Sequence, residues 1–187
     1  MKNIDSKYHL ASLLFGVFIF LFWWLGFPQA LNYQEQNQLF LFSSDYFWNN
    51  LSIAGGLADY ISEFIVQFHY VPWLGSILLA LLFITFQQLT WKLMKPYGRA
   101  HFPLSVLPAI LMIWHMGDIN TLLSFPVATL LTLFSACVAR SMHRGFDLLI
   151  VPLLYWLVGP TVWIYVLLRC FDNGLKSFWA MAYLVGI

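Results

Sequence analysis

Charge is what this sequence has least of: lysine and arginine number 9 and aspartate and glutamate 8, so charged residues make up 9% of the chain. Soluble domains carry about 25%. With 61% hydrophobic residues and a mean hydropathy of +0.75, that scarcity excludes an ordinary soluble globular domain. A net charge of +1, with no basic stripe interleaved with aromatics, excludes nucleic acid as a partner. The two cysteines, Cys137 and Cys170, lie in or beside apolar runs and offer neither a disulfide framework nor metal-ligand spacing; they read as small core residues. A phosphate-binding glycine loop, a GxSxG elbow and an HExxH helix are all missing, which removes the common soluble-enzyme classes. The apolar runs have almost no charge in their middles and show no inverted repeat, which disfavours ion conduction and pumping.

What the chain has instead is long apolar runs. A spanning helix needs about 20 mostly apolar residues. Leu10 to Phe27 meets this, and it is longer and more aromatic than a signal peptide, with no small-residue cleavage site after Pro28; it reads as a retained anchor. Pro72 to Trp91 opens on a proline suited to the first helical position and carries Trp73 and Trp91 at its two ends. Phe102 to Met116 is short and holds Pro103 and Pro108, so a tilted or broken span is expected. Asn120 to Ala139 is full length, with Pro126 as an expected kink. Leu148 to Leu168, interrupted by Gly159 and Pro160, fits one span or two half-helices that enter and leave on one side. Ser177 to Ile187 is too short to cross, and a chain stopping in such a run is expected to be the N-terminal part of a longer protein. The fold class is therefore all-α: a polytopic transmembrane bundle of about five spans, forming one membrane domain over 1–187.

Short cytoplasmic loops carry the excess of lysine and arginine. Lys2 and Lys7, then Lys92, Lys95 and Arg99, then Arg140 and Arg144 fall on one face, which places the N-terminus in the cytoplasm. The segment 29–70 holds four carboxylates, Glu35, Asp45, Asp59 and Glu63, and neither lysine nor arginine; it is the outer loop, together with the turn from His115 to Asn120. A single fifth span would put Arg169 and Lys176 outside, against this rule, which favours the half-helices. Within the outer loop, Leu57, Ile61, Phe64, Ile65 and Phe68 recur at helical spacing after Gly55 and Gly56, with Asp59, Ser62, Glu63 and Gln67 opposite. This predicts an amphipathic helix lying in the interface plane, its acids simply solvated. Glu35 and Asp45 are different, because bulky residues from Leu39 to Trp48 flank them. A carboxylate held against apolar surface is a candidate proton carrier.

The run EQNQLFLFSSDYFWNNLSIAGGLADYISEFIVQFHYVPWLGSILLALL, Glu35 to Leu82, resembles the N-terminal signature of an uncharacterised bacterial family of multi-pass membrane proteins. More distantly, the order of anchor span, long acidic outer loop with an interfacial helix, and paired shorter spans resembles the C-type superfamily of membrane glycosyltransferases, although this loop carries single acids rather than the adjacent pair common there. That resemblance implies a bacterial inner-membrane enzyme taking sugar from a polyprenyl-phosphate carrier at the outer face. Glycosyl transfer needs a base to take the acceptor proton, a role that falls to Glu35 or Asp45. Asp118 would orient the donor or a divalent cation, and His69, His115 or Arg169 would bind the lipid phosphate. The competing expectation, from a different class, is a noncatalytic membrane anchor or scaffold for a domain following residue 187. The lipid bilayer is a partner in both; the lipid-linked sugar belongs to the first alone.

Overall fold

The computed structural model describes residues 2–118, 120–142 and 146–173. Arg144, Lys176, the apolar segment 177–187 and the side chain of Lys2, all used above, lie outside the described residues. Among the described residues every regular element is helical. Three stretches are long and apolar enough to cross a membrane, Lys7–Gly26, Pro72–Tyr97 and Asp147–Asp172, and Ser124–Ala139 is a shorter apolar helix. The chain divides into two compact units, one built from residues up to 40 with 62–123, the other from 41–61 with the described residues from 124 onward.

In the first unit, α1 (Lys2–Leu21) continues into one wide turn, Phe22–Gly26, and stops before Pro28, which has no amide hydrogen to extend it. The same proline opens α2 (Pro28–Asn37). Further along, a short 3-10 turn, Gln67–Tyr70, leads into α5 (Pro72–Met94), which begins at the expected proline and runs one turn past the expected end. α1 and α5 pack antiparallel: Tyr8 meets Trp91 at a ring separation of 5.2 Å, Ser12 bonds Gln87, and Gly16 faces Ile84. The pairing puts Lys7 and Lys92 at one end. At its centre a polar relay is complete, since the Ser12 hydroxyl donates to Gln87 Oε1 (2.7 Å), and Gln87 Nε2 donates to Ser105 Oγ (2.8 Å), which donates in turn to the Phe102 carbonyl (2.6 Å). Gln87 thus bonds its neighbours across the helices, the usual use of an amide among apolar spans. Phe102 to Met116 is broken, as its prolines imply: a 3-10 turn, Pro103–Val106, precedes α6 (Leu107–His115). α6 is 9 residues long, about 14 Å, less than half of a bilayer core of about 30 Å.

The second unit contains α3 (Ser44–Leu51), the start of α4 (Gly56–Val66), and α7 (Ser124–Ala139), α8 (Asp147–Val158) and α9 (Val162–Asn173). Pro126 falls in the first turn of α7, where amide hydrogens have no intrahelical partner, so the expected kink is not required. α8 and α9 are the two half-helices. Residues 147 and 169 of one straight helix would stand about 33 Å apart, yet Asp147 and Arg169 form an ion pair at 2.8 Å. The long apolar run therefore folds back at Gly159–Thr161, where Gly159 takes a φ of +68° that side chains rarely adopt. The tip is pinned by the Gly55 amide, which donates to the Trp156 carbonyl at 2.8 Å, and by Thr161 beside Thr132 of α7 at 3.3 Å.

The helix predicted after the glycine pair is present as α4, but its buried stripe is Ala58, Ser62 and Val66. The expected apolar face is half-buried, and Phe64 is exposed. Lipid is as hospitable to Phe and Ile as a protein interior, so small residues take the inward face and let backbones approach.

Candidate functional site

The first unit holds a polar cleft of about 250 Å³. Tyr33, Gln34 and Asn37 from α2 and Gln38 at its C-cap form one wall, and Asn120 and Thr121 form the other. α2 is held over this position by packing on the Phe22–Gly26 turn, on Gln67–Tyr70 and on α5. Gln67 Nε2 donates to the Gln38 carbonyl at 2.9 Å and so fixes the end of the helix. The opposite wall is shaped by Asp118, whose Oδ1 accepts from the Asn120 amide (2.9 Å) and from Asn120 Nδ2 (3.2 Å), while the Thr121 hydroxyl donates to the His115 carbonyl (3.1 Å).

Polar satisfaction is incomplete at this corner. Gln34 is 5% exposed, and its Oε1, like that of Gln38, is buried with no hydrogen-bond partner among the described residues. Trp23 Nε1 and both ring nitrogens of His69 share that condition. These belong to α2, its C-cap and the two turns packed on it. His69 is fully buried, and desolvation pushes its pKa down from 6.5 to about 4, so the ring is neutral at pH 7. Its ring lies against α5 so closely that a Cβ on Gly75 would sit 2.7 Å from Cδ2; only glycine fits there.

The acids and bases predicted from sequence are only partly gathered. Glu35 sits half-buried on α2, in the middle of the cleft-lining run, and Asp118 is exposed on the facing turn. His115 is exposed at the end of α6, three residues before Asp118, with its carbonyl accepting the Asp118 amide at 3.3 Å. Asp45 belongs to the other unit and is exposed in the first turn of α3, whose start is capped by Ser43 accepting from the Tyr46 amide at 3.1 Å. An acid there complements the positive end of the helix, which accounts for it without chemistry.

Arg169 lies in the second unit, 4% exposed, and its fork grips Asp147: Nε donates to Oδ1 (2.9 Å) and Oδ2 (3.1 Å), and Nη2 donates to Oδ2 (2.8 Å). The Tyr165 hydroxyl completes the carboxylate with a bond of 2.6 Å to Oδ1. In the sequence Asp147 and Arg169 simply flank the two ends of the apolar run Leu148 to Leu168, and the signal for the pair was their opposite charge on either side of the Gly159–Pro160 break. The cleft had a signal too, since Tyr33 to Gln38 reads YQEQNQ and only its glutamate stood out. Among the described residues no group of three or more His, Cys, Asp or Glu side chains gathers to hold a metal ion.

Residues 2–187 match the family of unknown function DUF6057. The chain belongs to that family. The cleft and the Asp147–Arg169 hairpin both lie within the matched stretch of this DUF6057 member. No curated protein and no solved structure matches it.

Proposed function

We propose that this protein transfers a sugar from a polyprenyl-phosphate carrier at the outer face of a bacterial inner membrane. In this reading the chain makes about five membrane passages with its N-terminus in the cytoplasm. Residues 29–70 lie outside, α4 rests in the interface, and the α8–α9 hairpin counts as a re-entrant passage. Each helix of that hairpin has 12 residues, about 18 Å, enough to pass the middle of the bilayer and return. A re-entrant hairpin also returns Arg169 to the side of Arg140, in keeping with the positive-inside rule.

The observation that carries the chemistry is that Glu35 and Asp118 each adjoin residues lining one polar cleft. Glu35 takes the proton of an acceptor hydroxyl as its oxygen bonds the anomeric carbon and the carbon–oxygen bond to phosphate breaks, releasing polyprenyl phosphate. Asp118 orients the donor, and His115, exposed beside it, is the group left to meet the phosphate. His69 is neutral and Arg169 is engaged by Asp147, so neither brings a free positive charge. Glu35→Gln in membranes from producing cells, assayed with radiolabelled polyprenyl-phosphate sugar, should cut transfer by roughly 100-fold or more, the usual loss with a general base, at unchanged protein level. Full activity would end the transferase reading.

A second reading, a noncatalytic anchor or scaffold, is favoured by one observation: Asp45, half of the predicted acid pair, stands exposed in the other unit. It predicts that no substitution in the cleft alters any transfer activity.

A further inference from the structure

We infer that the cleft between α2 and the wall of Asn120, Thr121 and Leu122 binds an uncharged, polyhydroxylated group, one sugar ring or a headgroup of that kind. Its walls carry four side-chain amides, a phenol and a threonine hydroxyl, and no charged side chain. Two of those amides, Gln34 and Gln38, bury an oxygen that nothing among the described residues satisfies. Native interiors rarely leave such groups unpaired, and each one calls for a partner. An apolar ligand would leave the amides and hydroxyls that line the cleft without partners. An anion would meet amide oxygens with no lysine or arginine in the lining to balance its charge. Hydroxyl groups both donate and accept, as side-chain amides do, so a polyol satisfies this lining whichever way each amide is turned. About 250 Å³ lies just below the range of about 300–1,000 Å³ for drug-sized ligands, which suits one ring and not a chain of them.

This concerns binding and stands without transfer: a sugar-binding protein that transfers nothing keeps the inference and ends the enzyme reading. The test uses the full chain in lipid nanodiscs and saturation-transfer NMR. One arm titrates methyl β-glucoside and N-acetylglucosamine from solution; the other places a monoglucosyl diacylglycerol in the disc. Saturable transfer in one arm is the expected result, and the arm that responds tells a free sugar from a lipid-borne one. Gln34→Leu should weaken that binding by about tenfold or more while raising Tm, because it removes a buried acceptor that has no partner among the described residues. Asn120→Ala, at an exposed position, should weaken it without affecting folding. Absence of saturable binding in both arms, or unchanged binding in both variants, overturns the inference. So does a Tm that rises with sodium chloride over choline chloride without any sugar signal, which would make the cleft a cation site.

Discussion

The two units bury polar groups to opposite effect. In the α8–α9 hairpin, Asp147, Tyr165 and Arg169 satisfy one another through four hydrogen bonds. Around α2, the buried oxygens of Gln34 and Gln38, the indole nitrogen of Trp23 and the ring of His69 have no partner among the described residues. Both arrangements take polar atoms out of water, which costs free energy unless hydrogen bonds replace what was lost. A closed network holds a fold in one arrangement. An open set leaves that cost standing among the described residues, which separates the corner around α2 from the hairpin.

The sharpest way to break that contrast is to open the closed network. Arg169→Met leaves Asp147 buried and unpaired and should cost about 3–5 kcal/mol, read as thermal unfolding of the detergent-solubilised chain. Asp147→Leu added to Arg169→Met should recover most of it. A single variant as stable as wild type would show that the pair is idle. Next is the unpartnered ring of His69. Its pKa falls from 6.5 in the unfolded chain to about 4 when folded, so between those values the unfolded chain holds a proton that the native ring refuses. Stability from this residue is therefore intact above pH 6.5 and is lost as pH falls toward 4, by about 3 kcal/mol in all. His69→Gln should flatten the difference between pH 6.5 and pH 4; an unchanged slope would mean that the ring is protonated in the fold. The smallest effect belongs to the second Arg–Asp pair. Arg140 grips Asp172 with two bonds of 2.7 and 2.9 Å, but their side chains are 25% and 19% exposed. Arg140→Gln should cost less than about 1 kcal/mol, so a loss equal to that of Arg169→Met would erase the distinction between buried and exposed pairs.

Much of the helical framework was legible because it rests on local signals. Pro72 starts α5, Gly55 precedes α4 and Gly56 opens it, and Pro103 and Pro108 break the run before His115. Hydropathy suggested about five spans, of which three stretches are long and apolar enough to cross a membrane, and it could not tell a straight crossing from a hairpin over Asp147–Asp172. That difference lies in a contact between residues 22 positions apart. The inward stripe of α4 was missed for a related reason: periodicity finds the apolar face, and in a lipid-borne chain that face need not be the buried one. Glu35 and Asp118 stand out in the sequence by charge, although neither lines the cleft. The neutral amides beside them carry no comparable signal, because an unpaired buried oxygen is a property of packing.

The bond from the Gly55 amide to the Trp156 carbonyl also has a meaning in time. Its two ends are made about a hundred residues apart, and at synthesis rates of about 5–20 residues per second the first waits roughly 5–20 s for the second. Over that interval residues 41–61 have yet to meet the later helices of their own unit, while residues 62–123 of the first unit emerge. Residues 41–61 are thus the part of the second unit that waits longest for its packing partners.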